Sequence, residues 1–364
     1  MKPTALLITQ GQLTGNSAKT AHGLIRSSGR FEIAGVIDGE RYAGKNARAL
    51  IGERTGYVPI YANLEQALEN SDQKIDYAIV GVAPKGGRLP SEIKVVLREC
   101  LQQGISLISG LHEFIGDAPD LVSLARENGQ TITDIRRPVE RKDLHFWDGS
   151  IFRVRATVVA VLGPDTNMGK RTTANMLRET CNSHGIRAEM VFTGQTGWLQ
   201  DGRYGFVLDT TPNDFVSGEL AYWVCKCDEE THPDIIFLEG QSGLRNPSGP
   251  CGSELLLSAG AKHVVLLFSP ARRYFGDNNP TWGELPAVES EIALIRLYGS
   301  EVIALALHTK GCSETEISDY RREYTERTGL PVLLPLQNGM EEILPVISSL
   351  IRTRRQELAG RQTT

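Results

Sequence analysis

The sequence predicts an α/β protein of two doubly wound domains with mainly parallel sheets, a Rossmann-like domain followed by a P-loop NTPase-like domain. Short apolar runs alternate with helical patterns along most of the chain, as expected for parallel strands joined by crossover helices. The 364 residues are enough for about two domains. The stretch "RRPVERKDLHFWDGS" is charged and aperiodic, which is typical of a linker, so we place the domains at 1–150 and 151–364.

Apolar runs of four to seven residues locate the strands, and helical patterns such as "SEIKVVLRECLQQG" separate them. In the first domain we expect strands at Ala5–Thr9, Glu32–Ile37, Tyr77–Val82, Ser106–Ile108 and Thr131–Asp134. In the second domain we expect strands at Val158–Leu162, Glu189–Thr193, Asp234–Glu239, His263–Ser269, Val302–His308 and Val332–Pro335. The amphipathic segment "MEEILPVISSLIRTRR" is expected to form the last helix.

The composition restricts the partners. The formal net charge is −5 and basic residues form no long stripe, which argues against binding to nucleic acid. No stretch approaches the ~20 apolar residues of a membrane span, and the first apolar run is too short for a signal peptide. Six scattered cysteines fit reduced thiols. We therefore expect a cytoplasmic protein that acts on a small molecule and does not bind a membrane. Many two-domain α/β enzymes form symmetric dimers or tetramers, so we also expect a homo-oligomer.

Polar turns follow three strands of the first domain. Because the carboxyl ends of parallel strands form the ligand-binding edge of an open sheet, we expect a small anion such as a carboxylate to bind there. The substrate-binding candidates are Lys19, Thr20, Gly86, Gly87, Arg88 and Arg137, and the candidate catalytic groups at this edge are His112 and Glu113. A dinucleotide is an alternative ligand because Asp38 ends the second strand, but the first turn, "TQGQLTGNS", lacks the G-x-G-x-x-G pattern.

A phosphate-binding loop is predicted after the first strand of the second domain. The segment "GPDTNMGK" has five residues between its glycines where the usual P-loop has four. Backbone amides of residues 165–170 would form the anion nest, and Lys170 would reach the terminal phosphates. Arg171 stands where a hydroxyl normally follows the lysine, so Thr172 or Thr173 must supply the hydroxyl for Mg²⁺. The cofactor-binding candidates are Gly163, Asp165, Thr166, Asn167, Gly169, Lys170, Arg171, Thr172, Thr173 and Gln195.

An acidic residue ends a neighbouring apolar strand in "PDIIFLEGQSGLRNP". Glu239 is presented as a Walker-B carboxylate would be, so we expect Glu239 and Thr172 to be the metal ligands. Gln195 follows another strand and is expected on the same rim. Asp214, in "LDTTPNDFVSGEL", is a third catalytic candidate, although a helix start explains it equally well.

These residues carry a resemblance to two groups of proteins. The five-residue spacing of "GPDTNMGK", together with "LEGQSG", resembles the dethiobiotin synthetase branch of P-loop proteins, which use ATP to activate small acids. The segments "KTAHGLIR", "GVAPKGGRLP", "SGLHEF", "DIRRP", "GKRTTA", "TGQTG", "DFVSGE" and "LEGQSGL" resemble, over nearly the whole chain, a bacterial family with a Rossmann-like and a P-loop domain. Some members of that family are D-glutamate N-acetyltransferases that use acetyl-CoA. The loop departs from the family's usual G-T-D-C-A-V-G-K at Pro164, Thr166, Asn167 and Met168, so the donor or substrate can differ.

Two enzymatic hypotheses follow. The resemblance implies transfer of an acetyl group from acetyl-CoA to the amine of a small acidic amino acid, with the phosphates of the donor at the loop. The alternative is Mg-ATP-dependent activation of a small carboxylate by a ligase or kinase, which Glu239 favours because CoA needs no metal carboxylate. A nucleotide-gated regulatory protein is the non-enzymatic alternative, and it would lack acids and bases directed at the phosphate loop.

Overall fold

The computed structural model describes residues 2–53, 55–200 and 202–361. These residues form two compact units. Unit 1 contains the residues up to Pro138 together with Gln195–Gly202, and unit 2 contains Val139–Gly194 and the residues from Arg203 onward. The described helices and strands alternate along the chain, which confirms the predicted α/β class.

The strands, in chain order, are β1 (Thr4–Ile8), β2 (Glu32–Ile37), β3 (Ile60–Tyr61), β4 (Tyr77–Val80), β5 (Ser106–Ser109), β6 (Ile132–Asp134), β7 (Thr157–Leu162), β8 (Ala188–Phe192), β9 (Tyr204–Gly205), β10 (Ile235–Glu239), β11 (His263–Phe268), β12 (Glu301–Leu307) and β13 (Val332–Leu333). The α-helices are α1 (Lys19–Arg26), α2 (Ala47–Leu50), α3 (Leu64–Glu69), α4 (Ser91–Gln102), α5 (Pro119–Glu127), α6 (Lys170–Ser183), α7 (Gln195–Gln200), α8 (Asn213–Thr231), α9 (Ser253–Leu257), α10 (Phe275–Asn278), α11 (Val288–Leu297), α12 (Glu314–Thr328), α13 (Pro335–Asn338) and α14 (Leu344–Arg361).

Each unit is built on one parallel sheet. The order in unit 1 is β3-β2-β1-β4-β5-β6, and the order in unit 2 is β13-β12-β11-β7-β10-β8-β9. Every residue of β1, β7 and β10 is buried, because helices cover both faces of a parallel sheet. All predicted strands are present, with ends that shift by one or two residues. The short edge strands β3 and β9 were not predicted, because two residues are too few for an apolar pattern.

The division at Pro138 comes earlier in the chain than the boundary that the sequence predicts near residue 150. The cause is local packing of the aperiodic stretch. The backbone N–H and the imidazole of His145 lie 2.8 Å from the Glu219 carboxylate, and the Trp147 indole donates to the Ser258 carbonyl at 3.0 Å. The stretch from Val139 to about residue 150 is therefore part of unit 2 and not a free linker.

No helix in the described part of the chain combines the length and the apolar character needed to cross a bilayer.

Candidate functional site

The segment Gly163–Lys170, called the phosphate loop below, joins β7 to the start of α6. Asn167 and Gly169 have φ values of +55° and +90°, so the backbone reverses direction twice before the helix begins. Gly163 lies against Leu267 of the neighbouring strand β11, which leaves little room for a side chain. A strand, a tight loop and a helix N-terminus in this order form a site that favours anions.

Lys170 lies across the phosphate loop. Its Nζ donates to the carbonyl oxygens of Asp165 and Ser242 at 2.6 and 2.8 Å. Burial lowers the pKa of Lys170 to about 8, although the Asp165 and Glu239 carboxylates oppose the shift. The ammonium group is therefore still mostly charged at neutral pH, and two neutral carbonyls are weaker partners than a phosphate would be.

The Asp165 carboxylate organises the phosphate loop. It is fully buried and accepts hydrogen bonds from the Thr166 and Gly276 N–H groups at 2.7 and 2.9 Å and from the Asn246 amide at 2.7 Å. The Arg272 guanidinium lies 3.3 Å away and balances its charge. The Asp165 carboxylate therefore stabilises the shape of the loop. The role of Asp165 in phosphate binding, through its backbone N–H, stays a prediction.

Sequence reasoning missed Arg272, which follows β11. Its guanidinium donates to the carbonyl oxygens of Thr166 and Asn167 at 3.0 and 2.9 Å, so it fixes the middle of the phosphate loop. The Asn167 amide in turn donates to the Asp277 carboxylate at 3.0 Å. The segment "SPARRYFGD" contains two arginines, but only the strand order β11-β7 shows that this segment contacts the phosphate loop.

Glu239 ends β10, which pairs with β7 in parallel. Its carboxylate accepts from the Thr193 N–H at 3.1 Å, and the Thr193 hydroxyl donates to the Glu239 carbonyl at 2.7 Å. Burial raises the pKa of the Glu239 carboxyl, while the nearby Arg171 guanidinium opposes the shift. Glu239 is thus held beside the phosphate loop as predicted for a metal ligand, but one oxygen binds a backbone donor.

The two threonines after Arg171 differ in their surroundings. Thr173 is buried and its N–H donates to the Gly169 carbonyl at 2.9 Å, as part of α6. Thr172 is half-buried and stays the better candidate for a metal hydroxyl. Within the described ranges, no three His, Cys, Asp or Glu side chains are grouped as metal ligands, so a metal here would depend on Glu239, Thr172 and oxygens of the bound phosphates.

The turn after β10, residues 240–243, packs directly on the phosphate loop. A Cβ added at Gly240 would collide with the Val161 carbonyl, and one added at Gly243 would collide with the Pro164 carbonyl. Glycine is therefore required at both positions for the two loops to approach each other.

Gln195 begins α7, which is part of unit 1, directly after Gly194 of unit 2. Its side-chain oxygen accepts from the Arg136 guanidinium at 2.8 Å, and Arg136 also donates to the Gly110 carbonyl at 2.8 Å. Both Gln195 and Arg136 are buried. The Arg136 guanidinium fixes the Gln195 side chain, and the assignment of Gln195 to the cofactor-binding set stays a prediction.

Two of the predicted polar turns of unit 1 meet after β4 and β5. The His112 side chain packs over Gly87, whose φ of +63° suits glycine. The Glu113 carboxylate accepts from the Leu89 N–H at 2.8 Å, and the Glu113 N–H donates to the Gly87 carbonyl at 3.0 Å. His112 and Glu113 are exposed and form one surface with this glycine turn.

The other unit 1 candidates take different positions. Lys19 is exposed at the start of α1, whereas Thr20 is buried. Gly86 and Arg88 are exposed on the glycine turn. Arg137 lies 2.7 Å from Asp117 and 3.3 Å from Asp134, so carboxylates of unit 1 itself engage its guanidinium. Arg137 stays a predicted substrate-binding residue, and a substrate carboxylate would compete there with Asp117 and Asp134. The adjacent Arg136 is buried.

In unit 2, Asp214 is exposed in the first turn of α8, which fits a helix start. A cavity of about 220 Å³ borders Pro164, and it is enclosed by the end of β11, Arg272, the segment 284–288, Glu291 and Tyr324. Its walls are both polar and apolar, and it lies beside the phosphate loop.

The match to known families agrees with this arrangement. The model of a domain of unknown function, DUF1611, described as a P-loop domain, matches residues 145–344. A companion model described as a Rossmann-like domain matches residues 40–138. The chain belongs to the DUF1611 family. The predicted family with a Rossmann-like and a P-loop domain is thereby confirmed, whereas nothing in these matches points to dethiobiotin synthetase.

Two curated relatives of this DUF1611 protein carry a function in their names. A protein from Tritonibacter scottomollicae named D-glutamate N-acetyltransferase is 29% identical over 277 residues, which cover 75% of this chain and 81% of the relative. One of the same name from a Pseudoalteromonas species is 27% identical over 272 residues, which cover 73% and 79%. A crystal structure of a DUF1611 family protein from Anabaena variabilis has a TM-score of 0.85 and 28% identity, covering 96% of this chain and 99% of the other.

Proposed function

We propose that this protein is an N-acetyltransferase that moves an acetyl group from acetyl-CoA to the amine of a small acidic amino acid of the D-glutamate type. The observation that carries the proposal is the buried Lys170 that lies across the phosphate loop, in a chain whose two curated relatives are named D-glutamate N-acetyltransferase. Binding CoA through its phosphates needs the amide nest and a lysine but no hydrolysis.

Residues of unit 2 would hold the donor. The Lys170 ammonium and the other N–H groups of residues 165–170 would bind the diphosphate, whereas the Thr166 N–H already donates to the Asp165 carboxylate. Arg272 would keep the loop in shape. The Arg272 guanidinium and the Gly276 N–H already balance the negative charge of the Asp165 carboxylate. This carboxylate would therefore repel bound phosphates less than an unpaired acid would.

The acceptor would be bound by the surface after β4 and β5 in unit 1. Arg88 and Lys19 are exposed cations that suit the carboxylates of an acidic amino acid. The amine must lose a proton before it attacks the thioester carbonyl, and His112, Glu113 or Asp214 is the candidate base. As the C–N bond forms, the C–S bond breaks and CoA leaves as the thiolate. The nitrogen loses a second proton when the amide forms, so one of the two protons neutralises the thiolate and the other passes to solvent.

A second candidate function is Mg-ATP-dependent activation of a small carboxylate. The observation in its favour is Glu239, a buried acid at the end of the strand beside the phosphate loop. Glu239 and Thr172 would then hold Mg²⁺ with the nucleotide phosphates.

Ligand binding separates the two functions. We expect acetyl-CoA to raise the unfolding temperature of the purified protein more than Mg-ATP or NAD does, because a ligand stabilises by RT ln(1 + [L]/Kd). Release of CoA thiol should require D-glutamate or a similar acidic amino acid. Lys170→Ala should remove the thermal shift, and Lys262→Ala, an exposed lysine at the other end of β11, should retain it. A shift with Mg-ATP alone would favour the second function, and a shift with NAD alone would contradict both.

A further inference from the structure

The segments that follow β11 and β12 lie beside the phosphate loop in unit 2. The sheet order places β7, β11 and β12 next to each other, so the segments that follow them leave the same edge. The Ser269 hydroxyl after β11 lies 3.3 Å from the His308 imidazole after β12. Gly311, further along the second segment, packs against the Ala271 side chain. We call the surface formed by Ser269, Arg272, His308 and Lys310 the β11–β12 surface.

Two cationic side chains contribute to this surface. Arg272 is nearly buried and belongs to the phosphate loop contacts described above, and Lys310 is exposed on the neighbouring segment. Burial, together with Arg272 and Lys310, lowers the pKa of His308 to about 4, so this imidazole is neutral at physiological pH. A neutral imidazole and a hydroxyl beside two cations provide hydrogen-bonding groups for an anion.

The chain already places an oxyanion at the border of this surface. The Asp277 carboxylate lies 3.1 Å from Arg272 and 3.0 Å from the Asn167 amide. It is carried by Gly276, Asp277 and Asn278, which have φ values of +64°, +61° and +69°. Consecutive left-handed residues are strained, and two of these are not glycine. The Asp277 carboxylate thus marks a position beside Arg272 that accommodates an anionic group.

We propose that the β11–β12 surface binds a second phosphate of the phosphate loop ligand, the 3′-phosphate monoester of CoA. The inference rests on the proposed function, since CoA carries a diphosphate and a separate 3′-phosphate, whereas ATP has no phosphate on its ribose hydroxyls. The diphosphate occupies the phosphate loop, and the dianionic 3′-phosphate replaces the Asp277 carboxylate on Arg272 and pairs with Lys310. This subsite makes the protein selective for CoA over ligands that carry one phosphate chain.

The test compares CoA with 3′-dephospho-CoA by titration calorimetry on the full chain. We expect the wild type to bind CoA about tenfold more tightly or better, the value for a charge-assisted contact. Lys310→Gln should lower this ratio several-fold, because it removes one of the two cations of the subsite. Lys262→Gln removes the same charge at the opposite end of β11 and should leave the ratio unchanged. Asp277→Asn should increase the ratio, because it removes the competing charge from Arg272.

The outcomes are distinct. Equal affinity of the wild type for CoA and 3′-dephospho-CoA overturns the subsite but not the proposed function, and so does a ratio that survives Lys310→Gln. If neither compound binds, the proposed function fails and the subsite fails with it. A ratio that falls for Lys310→Gln and rises for Asp277→Asn supports the subsite, because a general loss of folding cannot produce opposite changes.

Discussion

Lys170 is buried at the phosphate loop, and this burial sets the pKa of its ammonium group. The pKa in turn sets the pH range in which Lys170 can attract phosphate. Its ammonium group is buried with two carbonyl partners, and burial lowers its pKa to about 8. An exposed lysine would stay charged about two pH units higher. The charge that the site offers to an anion therefore disappears within a range that is accessible to binding experiments.

We predict that the affinity for acetyl-CoA falls as the pH rises through about 8. The unbound protein loses the Lys170 charge there, and acetyl-CoA has no free thiol that titrates in the same range. Titration calorimetry from about pH 6.5 to 9.5 measures this dependence. In Lys170→Arg the guanidinium stays charged, so its affinity should be nearly flat over the same range. A flat profile for the wild type would contradict the role of Lys170.

Single residues were predicted unevenly from the sequence. Lys170 and Glu239 belong to local motifs with a fixed spacing, and the structure places Lys170 at the first residue of α6 and Glu239 at the end of β10. Arg272 could not be predicted, because it reaches the phosphate loop from a strand that is a neighbour only in the folded sheet. Adjacent residues such as Arg136 and Arg137 point in different directions, and the sequence does not indicate which one is buried.

At the scale of elements, the turn of residues 240–243 and the phosphate loop form one packed unit. Both follow neighbouring parallel strands, and the space between them is too small for a Cβ at Gly243. The shape of the phosphate loop thus depends on a turn that lies more than 70 residues further along the chain.

Gly243→Ala should therefore push the phosphate loop away. We expect it to lower the stability by about 1–3 kcal/mol, the usual cost of overpacking, and to weaken acetyl-CoA binding. Gly249→Ala is the matched control, since a Cβ at that position meets nothing within 4 Å. Thermal unfolding with and without acetyl-CoA measures both effects. Equal behaviour of the two variants would show that the close approach is unimportant.

Elements were predicted better than their contacts. Strands such as β7 and β11 can be recognised in the sequence as long apolar runs, because a strand that is buried on both faces has few polar residues. The placement of α7 was not predictable, because a six-residue helix has the same local pattern in either unit. The candidate base cannot be chosen from the sequence for the same reason, since His112, Glu113 and Asp214 are all polar residues after strands or at helix starts.

At the scale of the whole molecule, unit 1 is completed by a segment that comes much later in the chain. Leu199 of α7 is fully buried in the apolar cluster formed by α1 and the first strands. The Gln200 side chain donates to the Gly23 carbonyl at 2.8 Å, and Arg30 lies over the Trp198 ring. The stability of unit 1 therefore depends on residues inside the sequence range that matches the P-loop domain.

We predict that Leu199→Ala destabilises unit 1 by about 2–5 kcal/mol, as expected when a buried leucine leaves a cavity. Leu297→Ala is the control because that side chain is 85% exposed, and it should change the stability by less than about 0.5 kcal/mol. Denaturant unfolding followed by tryptophan fluorescence, to which Trp198 contributes, reports the difference. If Leu199→Ala behaved like Leu297→Ala, α7 would not be needed to stabilise unit 1.

The position of α7 also bears on how such a protein can change during evolution. A single recombination event at Pro138 would give unit 1 a foreign downstream partner and deprive it of the helix that fills its apolar cluster. Two crossovers, or a partner that carries an equivalent of Gln195–Gly202, would be required to exchange either half. A single exchange of gene segments would therefore not separate the Rossmann-like part of this chain from the P-loop part without destabilising unit 1.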